Sequence, residues 1–355
     1  MKVIYYCDWY KEYTAHLAMA VAAESIEVTV ITRDLSREFE GRRGDEKLVH
    51  RELLANDVDL CLLPGKYSSI KSVLALHRIY RAKRQAGYER FHIQQTGDPR
   101  FLGLALRMPT IMTIHEPTAR LGVARGPDRL RHLTSGIVQR CYRRLADLIV
   151  VHTTTNWNGL TPSERRKAVI IPHGVAPLPV RSAGESKTIL FFGRAAAYKG
   201  IDTLLAAMGK VWAAEPHARL RIMASPGDYA AVPVRDPRID ATWEGYSNEQ
   251  LERELADARV VCLPYTSVSG SGVASQAYGS GKPIVASALE GLRELVAHEE
   301  LLAHPDDVND LARALIAALG KDYGPQDIDP QKTWPGVAAA HIRAYEPLVR
   351  VHDAR

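Results

Sequence analysis

The 355-residue sequence has no long apolar run. No stretch approaches the roughly 18 uninterrupted apolar residues that suggest a membrane span. Its amino terminus, MKVIYYCDWYKEY, meets charge at Asp8, Lys11 and Glu12 before a signal-peptide core can form. A cytoplasmic location is the expectation. Cysteine is scarce, with Cys7, Cys61, Cys141 and Cys262 far apart and mostly in apolar surroundings. That argues against a disulfide frame or a cysteine metal site and predicts buried thiols. Glycine is missing where a dinucleotide enzyme needs it: CDWYKEYTAH follows the first apolar run, and the first glycine is Gly41. The absence of GxGxxG there argues against a nicotinamide or flavin enzyme. Aromatic residues are not interleaved with the basic clusters, which disfavours a nucleic-acid partner. The net charge of +5 suits either an anionic substrate or an ordinary solvated surface.

Short runs rich in Val and Ile alternate with longer amphipathic stretches. Strands are predicted at 3–7, 26–32, 58–64, 90–94, 110–115 and 148–152, with helices over 13–24, 69–86 and 126–147. This alternation is that of βαβ units building a parallel sheet. Proline, glycine, serine and charge cluster in APLPVRSAGESK, as in a linker. Strands then resume at 187–192, 220–224, 239–243, 260–264 and 283–287, and one amphipathic helix runs from Trp334 to about Val351. The expected organisation is α/β: a first domain over 1–175, a linker over 176–186, a second domain over 187–333, and a terminal helix over 334–355.

Open parallel sheets bind ligands beyond the carboxyl ends of their strands, and the informative residues follow strands. In FFGRAAAYKG, Gly193 turns the chain, Arg194 leaves the turn and Lys199 stands at a helix start. Two cations in that setting suit a diphosphate, although a turn with two solvated cations reads equally well. In VVCLPYTSVSGSGVASQAYGSGKPIVAS, a small-residue loop links an apolar strand to a helix. The loop offers the backbone N–H groups of Gly270, Ser271, Gly272 and Val273 to an anion; a surface loop is the bland alternative.

These segments, with IPHGV (171–175), TIHEP (113–117) and GLRE (291–294), occur in one order. Together they resemble the retaining GT-B glycosyltransferases of family 4. The resemblance implies two Rossmann-like domains whose parallel sheets face a cleft, with a C-terminal helix crossing back to the first domain. It also implies a glycosyltransferase using a UDP- or GDP-sugar, retaining the anomeric configuration and needing neither metal nor cofactor. The acceptor would be a saccharide, a lipid-linked saccharide or a small metabolite. Arg194 and Lys199 match the family's diphosphate-binding pair. His115 matches a histidine facing the transferred sugar, and His173-Gly174 marks the interdomain crossing. Gln276 falls at the ribose position, Glu294 matches a glutamate often found there, and Tyr246 is placed by position in the base pocket.

The sequence also departs from the family. Its usual pair of glutamates is replaced by Val268 or Ser269 and by Gln276, in an SGV-type loop. The glycine pair after the first strand is absent, and Tyr10 and Lys11 stand where acceptor and phosphate approach. The triplets Asp57-Val58-Asp59 and Asp327-Ile328-Asp329 are read as turn residues, not as a metal motif. Two basic amphipathic stretches, 68–85 and 129–144, are read first as core-packed helices with solvated faces and second as a peripheral membrane contact. Rival readings are a catalytically silent binding or partner subunit on the same scaffold, a sugar-nucleotide epimerase, and a phosphorylase, for which the chain is short.

Overall fold

The structure, a computed structural model, describes residues 1–33, 43–64, 70–116, 128–178, 186–230, 235–268 and 271–348. The chain divides into two compact units, one of 1–174 together with 334–355, the other of 175–333.

In the first unit, seven parallel strands form one sheet: β1 (Lys2–Tyr6), β2 (Glu27–Arg33), β3 (Asp59–Leu63), β4 (Arg90–Gln94), β5 (Thr110–Ile114), β6 (Leu148–Val151) and β7 (Ala168–Ile170). Their order is β3-β2-β1-β4-β5-β6-β7. The central strands β4, β5 and β6 are buried along their whole length. They therefore read as continuous runs and not as alternating ones, because helices cover both faces. The helix Trp334–Tyr345 packs against the helix Lys11–Ala22 in this same unit. Its Tyr345 hydroxyl reaches Tyr5 Oη at 3.0 Å and His92 Nδ1 at 2.6 Å.

The second unit is a six-stranded parallel sheet of β8 (Thr188–Arg194), β9 (Arg219–Ser225), β10 (Ile239–Thr242), β11 (Val260–Leu263), β12 (Ile284–Ser287) and β13 (Leu302–Ala303), in the order β10-β9-β8-β11-β12-β13. The helices Ile201–Ala214 and Val308–Gly320 bury Leu204, Met208, Val211, Leu311, Leu315 and Leu319 in one core on this sheet. Two Rossmann-like units, with a terminal helix returned to the first, make the GT-B architecture.

The predicted strands are present, with ends shifted by a residue or two. The two strands not foreseen are β7 and β13. Each lies at a sheet edge and is three residues or fewer in length, so neither makes a buried apolar run. The terminal helix ends at Tyr345, short of the expected reach, and residues from 349 on lie outside the described ones. Only Cys7 and Cys262 are buried thiols. Cys61 and Cys141 are half-buried, Cys61 at the margin of a core cluster.

Candidate functional site

In both sheets the strand order reverses beside the first strand, at β1/β4 in one unit and β8/β11 in the other. The crossovers on either side of such a pair leave in opposite directions and open a crevice at the strands' carboxyl ends. Tyr10 follows β1, Gly193 and Arg194 close β8, and Ser271 to Val273 follow β11.

In the second unit, Gly193 stands one residue before the end of β8 with φ of 123°, a backbone state that side chains rarely adopt. A Cβ at this position would stand 2.7 Å from Lys199 Nζ and 2.9 Å from Val273 Cγ2. The bare glycine thus brings the turn after β8 and the helix Gly272–Gly279 to one point. Lys199 is 3% exposed. It donates to Tyr265 Oη at 3.0 Å and lies 4.7 Å from that ring's centroid. Among the described residues no carboxylate pairs with it, and burial lowers its pKa to about 8. A buried ammonium without a counter-ion is costly, and an anion would relieve the cost. Arg194, exposed at the strand end, adds a second positive charge that also depresses Lys199.

The facing wall is the helix Gly272–Gly279. Ser271 caps it, its Oγ accepting from Ala274 N at 3.2 Å. The N–H groups of Gly272 and Val273, ahead of that bond, have no partner within the helix. Thr266 N donates to Tyr198 O at 2.8 Å. The two motifs of the sequence are therefore stitched together by Tyr265 and Thr266. Sequence reasoning passed over Tyr265; its only signal was its place directly after an apolar strand. Gly270 lies outside the described residues. Tyr246 is half-buried in the apolar cluster that also holds Val273 and Val268. Gln276 is exposed on the helix. Glu294, also exposed, lies 3.9 Å from Lys332 Nζ and lines a cavity of about 400 Å³ with Tyr278 and Tyr323; the contacts converging on Lys199 do not include it.

In the first unit, His115 follows β5 and is 8% exposed. Its Nε2 lies 2.9 Å from the Gln94 amide, and its Nδ1 3.2 Å from His152 Nε2. Tyr10 stacks on the His115 ring at 3.7 Å between centroids and 13° between planes. Tyr10 holds this position with φ of 64°, left-handed for a residue that has a side chain. Tyr13 meets the rings of His115, His152 and His173, at 5.0, 5.1 and 4.9 Å. Burial, reinforced by the neighbouring histidines, holds His115 well below its ordinary pKa. His115 is thus a neutral imidazole. Lys11 is buried; its ammonium forms an ion pair with Glu46 and donates to Arg33 O at 2.5 Å. Its charge is committed inside the unit.

Asp59 is bonded by Lys83 and by Thr29 Oγ1, the latter at 3.1 Å, and Asp329 caps the turn Pro330–Lys332. Among the described residues, no group of three or more His, Cys, Asp or Glu side chains could hold a metal ion. No described helix is long and apolar enough to cross a membrane.

Comparisons with known proteins agree with this architecture. Residues 11–177 match the family described as Glycosyltransferase Family 4, and residues 186–321 match Glycosyl transferases group 1. An uncharacterized glycosyltransferase of Methanocaldococcus jannaschii is 27% identical over 184 residues, which are 46% of this chain and 45% of that one. The matched stretch is thus less than half of that relative's length. An MMP alpha-(1->4)-mannosyltransferase of Mycolicibacterium hassiacum is 25% identical over 304 residues, 76% of this chain and 72% of that one. Among solved structures, HepE of Anabaena in complex with UDP and glucose superposes with a TM-score of 0.61 at 14% identity, covering 98% of this chain and 95% of that one. That likeness concerns the fold alone. The class defined by fold and site is therefore the GT-B class. Within it, the chain is related to the group 1 and family 4 glycosyltransferases.

Proposed function

We propose that the protein is a retaining glycosyltransferase that moves a sugar from a nucleoside-diphosphate sugar, UDP or GDP, to a saccharide, lipid-linked saccharide or small-molecule acceptor. The observation that carries the reading is Lys199, a buried cation with no carboxylate partner among the described residues, beside Gly193 and a Ser-capped helix start. A diphosphate supplies the missing negative charge. As the glycosidic bond breaks, charge grows on the leaving diphosphate. Lys199, Arg194 and the amides of Gly270, Ser271, Gly272 and Val273 stabilise that charge without a metal. Removing one such preorganised donor typically costs about 10²–10³ in rate.

Gln276 takes the ribose hydroxyls, Tyr246 lines the base pocket, and Glu294 lies at the rim. His115 addresses the transferred sugar. A neutral, buried imidazole is too weak a base to drive the reaction alone, and this suits same-face attack, in which the leaving phosphate takes the acceptor's proton. Tyr10 serves the acceptor side, with Lys11 fixing the loop behind it. A peripheral membrane contact belongs to the same reading: the helix Ile70–Gln85 exposes Val73 and Leu74 (47% and 53%) beside Lys71 and Arg78, a pairing that suits an anionic lipid surface.

The test is a thermal-shift panel of UDP, GDP, ADP, dTDP and their sugars, with and without EDTA, on wild type and Arg194→Ala. A ligand at about 100 times its Kd adds about 2.7 kcal/mol. Stabilisation by one base class, indifferent to EDTA and lost in the variant, supports the donor site. Stabilisation by no nucleotide moves the assignment to a silent subunit.

A further inference from the structure

The contacts around His115 decide which of its nitrogens carries the proton. The Ile171 carbonyl can only accept, and His152 Nδ1 lies 3.0 Å from it. A neutral His152 therefore holds its proton on Nδ1 and presents Nε2 as a lone pair. Burial keeps His152 neutral, its pKa lowered to about 4. His115 Nδ1, 3.2 Å from that lone pair, must then be the donor. His115 Nε2 is left as a lone pair in its turn. As placed, the fully buried Gln94 sets Oε1 2.9 Å from it and leaves Nε2 without a partner; a lone pair on His115 Nε2 requires the amide turned to present NH2. A half-turn of the terminal amide exchanges the two.

We propose that Ile171, His152 and Gln94 hold His115 in the Nδ1–H tautomer, so that the ligand group replacing Gln94 at His115 Nε2 is a hydrogen-bond donor: a hydroxyl of the transferred sugar or of the acceptor, not a phosphate or carboxylate oxygen. The nature of the ligand rests on the glycosyltransferase reading; the tautomer does not. His152 and Gln94 are positioning residues that act through His115. The relay also explains why a second histidine is buried behind the first. A chain of neutral rings that ends on a backbone carbonyl has one consistent direction, and that direction leaves the acceptor end toward Gln94.

The experiment is a long-range 1H–15N correlation on the full chain with 15N-labelled histidine at pH 7.5, the His115 signals being assigned by their loss in His115→Phe. We expect His115 Nε2 to be pyridine-type and Nδ1 pyrrole-type, the reverse of free histidine. His152→Gln, whose amide donates to Ile171 and accepts from His115, should keep that pattern; His152→Leu should lose it. In turnover, His152→Leu should lower kcat by about tenfold or more, the scale of an outer-shell loss, and His152→Gln should restore most of it. An Nε2–H or doubly protonated His115 in the folded wild type overturns the proposal. If His152→Leu does not fold, the wild-type and His152→Gln spectra still decide. Absence of turnover with any nucleotide sugar alongside the expected spectrum would sink the glycosyltransferase reading and leave the tautomer standing.

Discussion

Lys199 donates to the hydroxyl of Tyr265 at 3.0 Å, tying the turn after β8 to the loop after β11 across the point where the strand order reverses. A hydrogen bond to a charged group contributes about 1.5–3 kcal/mol. Tyr265→Phe keeps the ring under the ammonium and removes the bond. It should weaken nucleotide binding by roughly tenfold, since about 1.4 kcal/mol is one decade. Calorimetric titration with the nucleotide that stabilises wild type checks this; unchanged affinity would show that the bond does not position Lys199.

Gly193 admits no side chain. A Cβ there would collide with Lys199 Nζ and Val273, and the backbone at φ of 123° would be strained. Gly193→Ala should cost about 1–3 kcal/mol of stability and abolish the nucleotide-induced thermal shift. A variant that kept the shift would place the diphosphate elsewhere.

Lys199 should trade stability for binding. Burial sets its folded pKa at about 8, below the ordinary 10.5. Between those values the unfolded chain holds more protons than the folded one. Stability therefore rises with pH across that window, and the full cost is present below pH 8. Lys199→Met should accordingly raise the Tm of the ligand-free protein at pH 7 while removing its response to nucleotide. A lowered Tm in denaturation scans would contradict this account.

The buried histidines should make the protein acid-sensitive. Burial depresses His92 and His173 to about 3 and His152 to about 4. The unfolded chain takes up protons near pH 6.5 and the folded one does not, so stability is intact above about 6.5 and is lost as the pH falls toward 4. Each such histidine contributes up to about 1.4 kcal/mol per pH unit in that range. Urea midpoints at pH 7.5, 6.0 and 5.0 should fall in that order; a flat series would mean that these rings are solvated.

The Lys11–Glu46 pair is buried on both sides, its side chains 2% and 6% exposed. Lys11→Met strands a buried carboxylate and should cost about 3–5 kcal/mol, while Lys11→Met with Glu46→Leu should recover most of it. Denaturant unfolding of the three proteins tests this. If Lys11 instead serves the acceptor, the double variant recovers stability but not turnover.

Much of the fold was legible because it rests on local rules. Val- and Ile-rich runs at regular spacing, and Gly193 at the end of one of them, dictate buried parallel strands and the turns that follow. The linker composition marked a domain boundary, GRAAAYKG and the loop SGSGVASQAYGSG offered an anion site as one of two readings each, and their order carried the family resemblance. The tertiary structure decided what depends on partners distant in the chain. Lys199 and Lys11 are both lysines near a strand end, yet among the described residues one is buried without a carboxylate and the other against Glu46. The sequence could not separate them, because the difference lies in which element packs over each ammonium. His115 stood out only by its match to a histidine of the resembled family, but its protonation follows from a carbonyl at Ile171 and a ring at His152. Those are brought to it only when β5, β6 and the segment after β7 lie side by side. Register and packing, and not residue type, determine which polar atoms meet, and that is why the chemistry of these sites is a property of the folded chain.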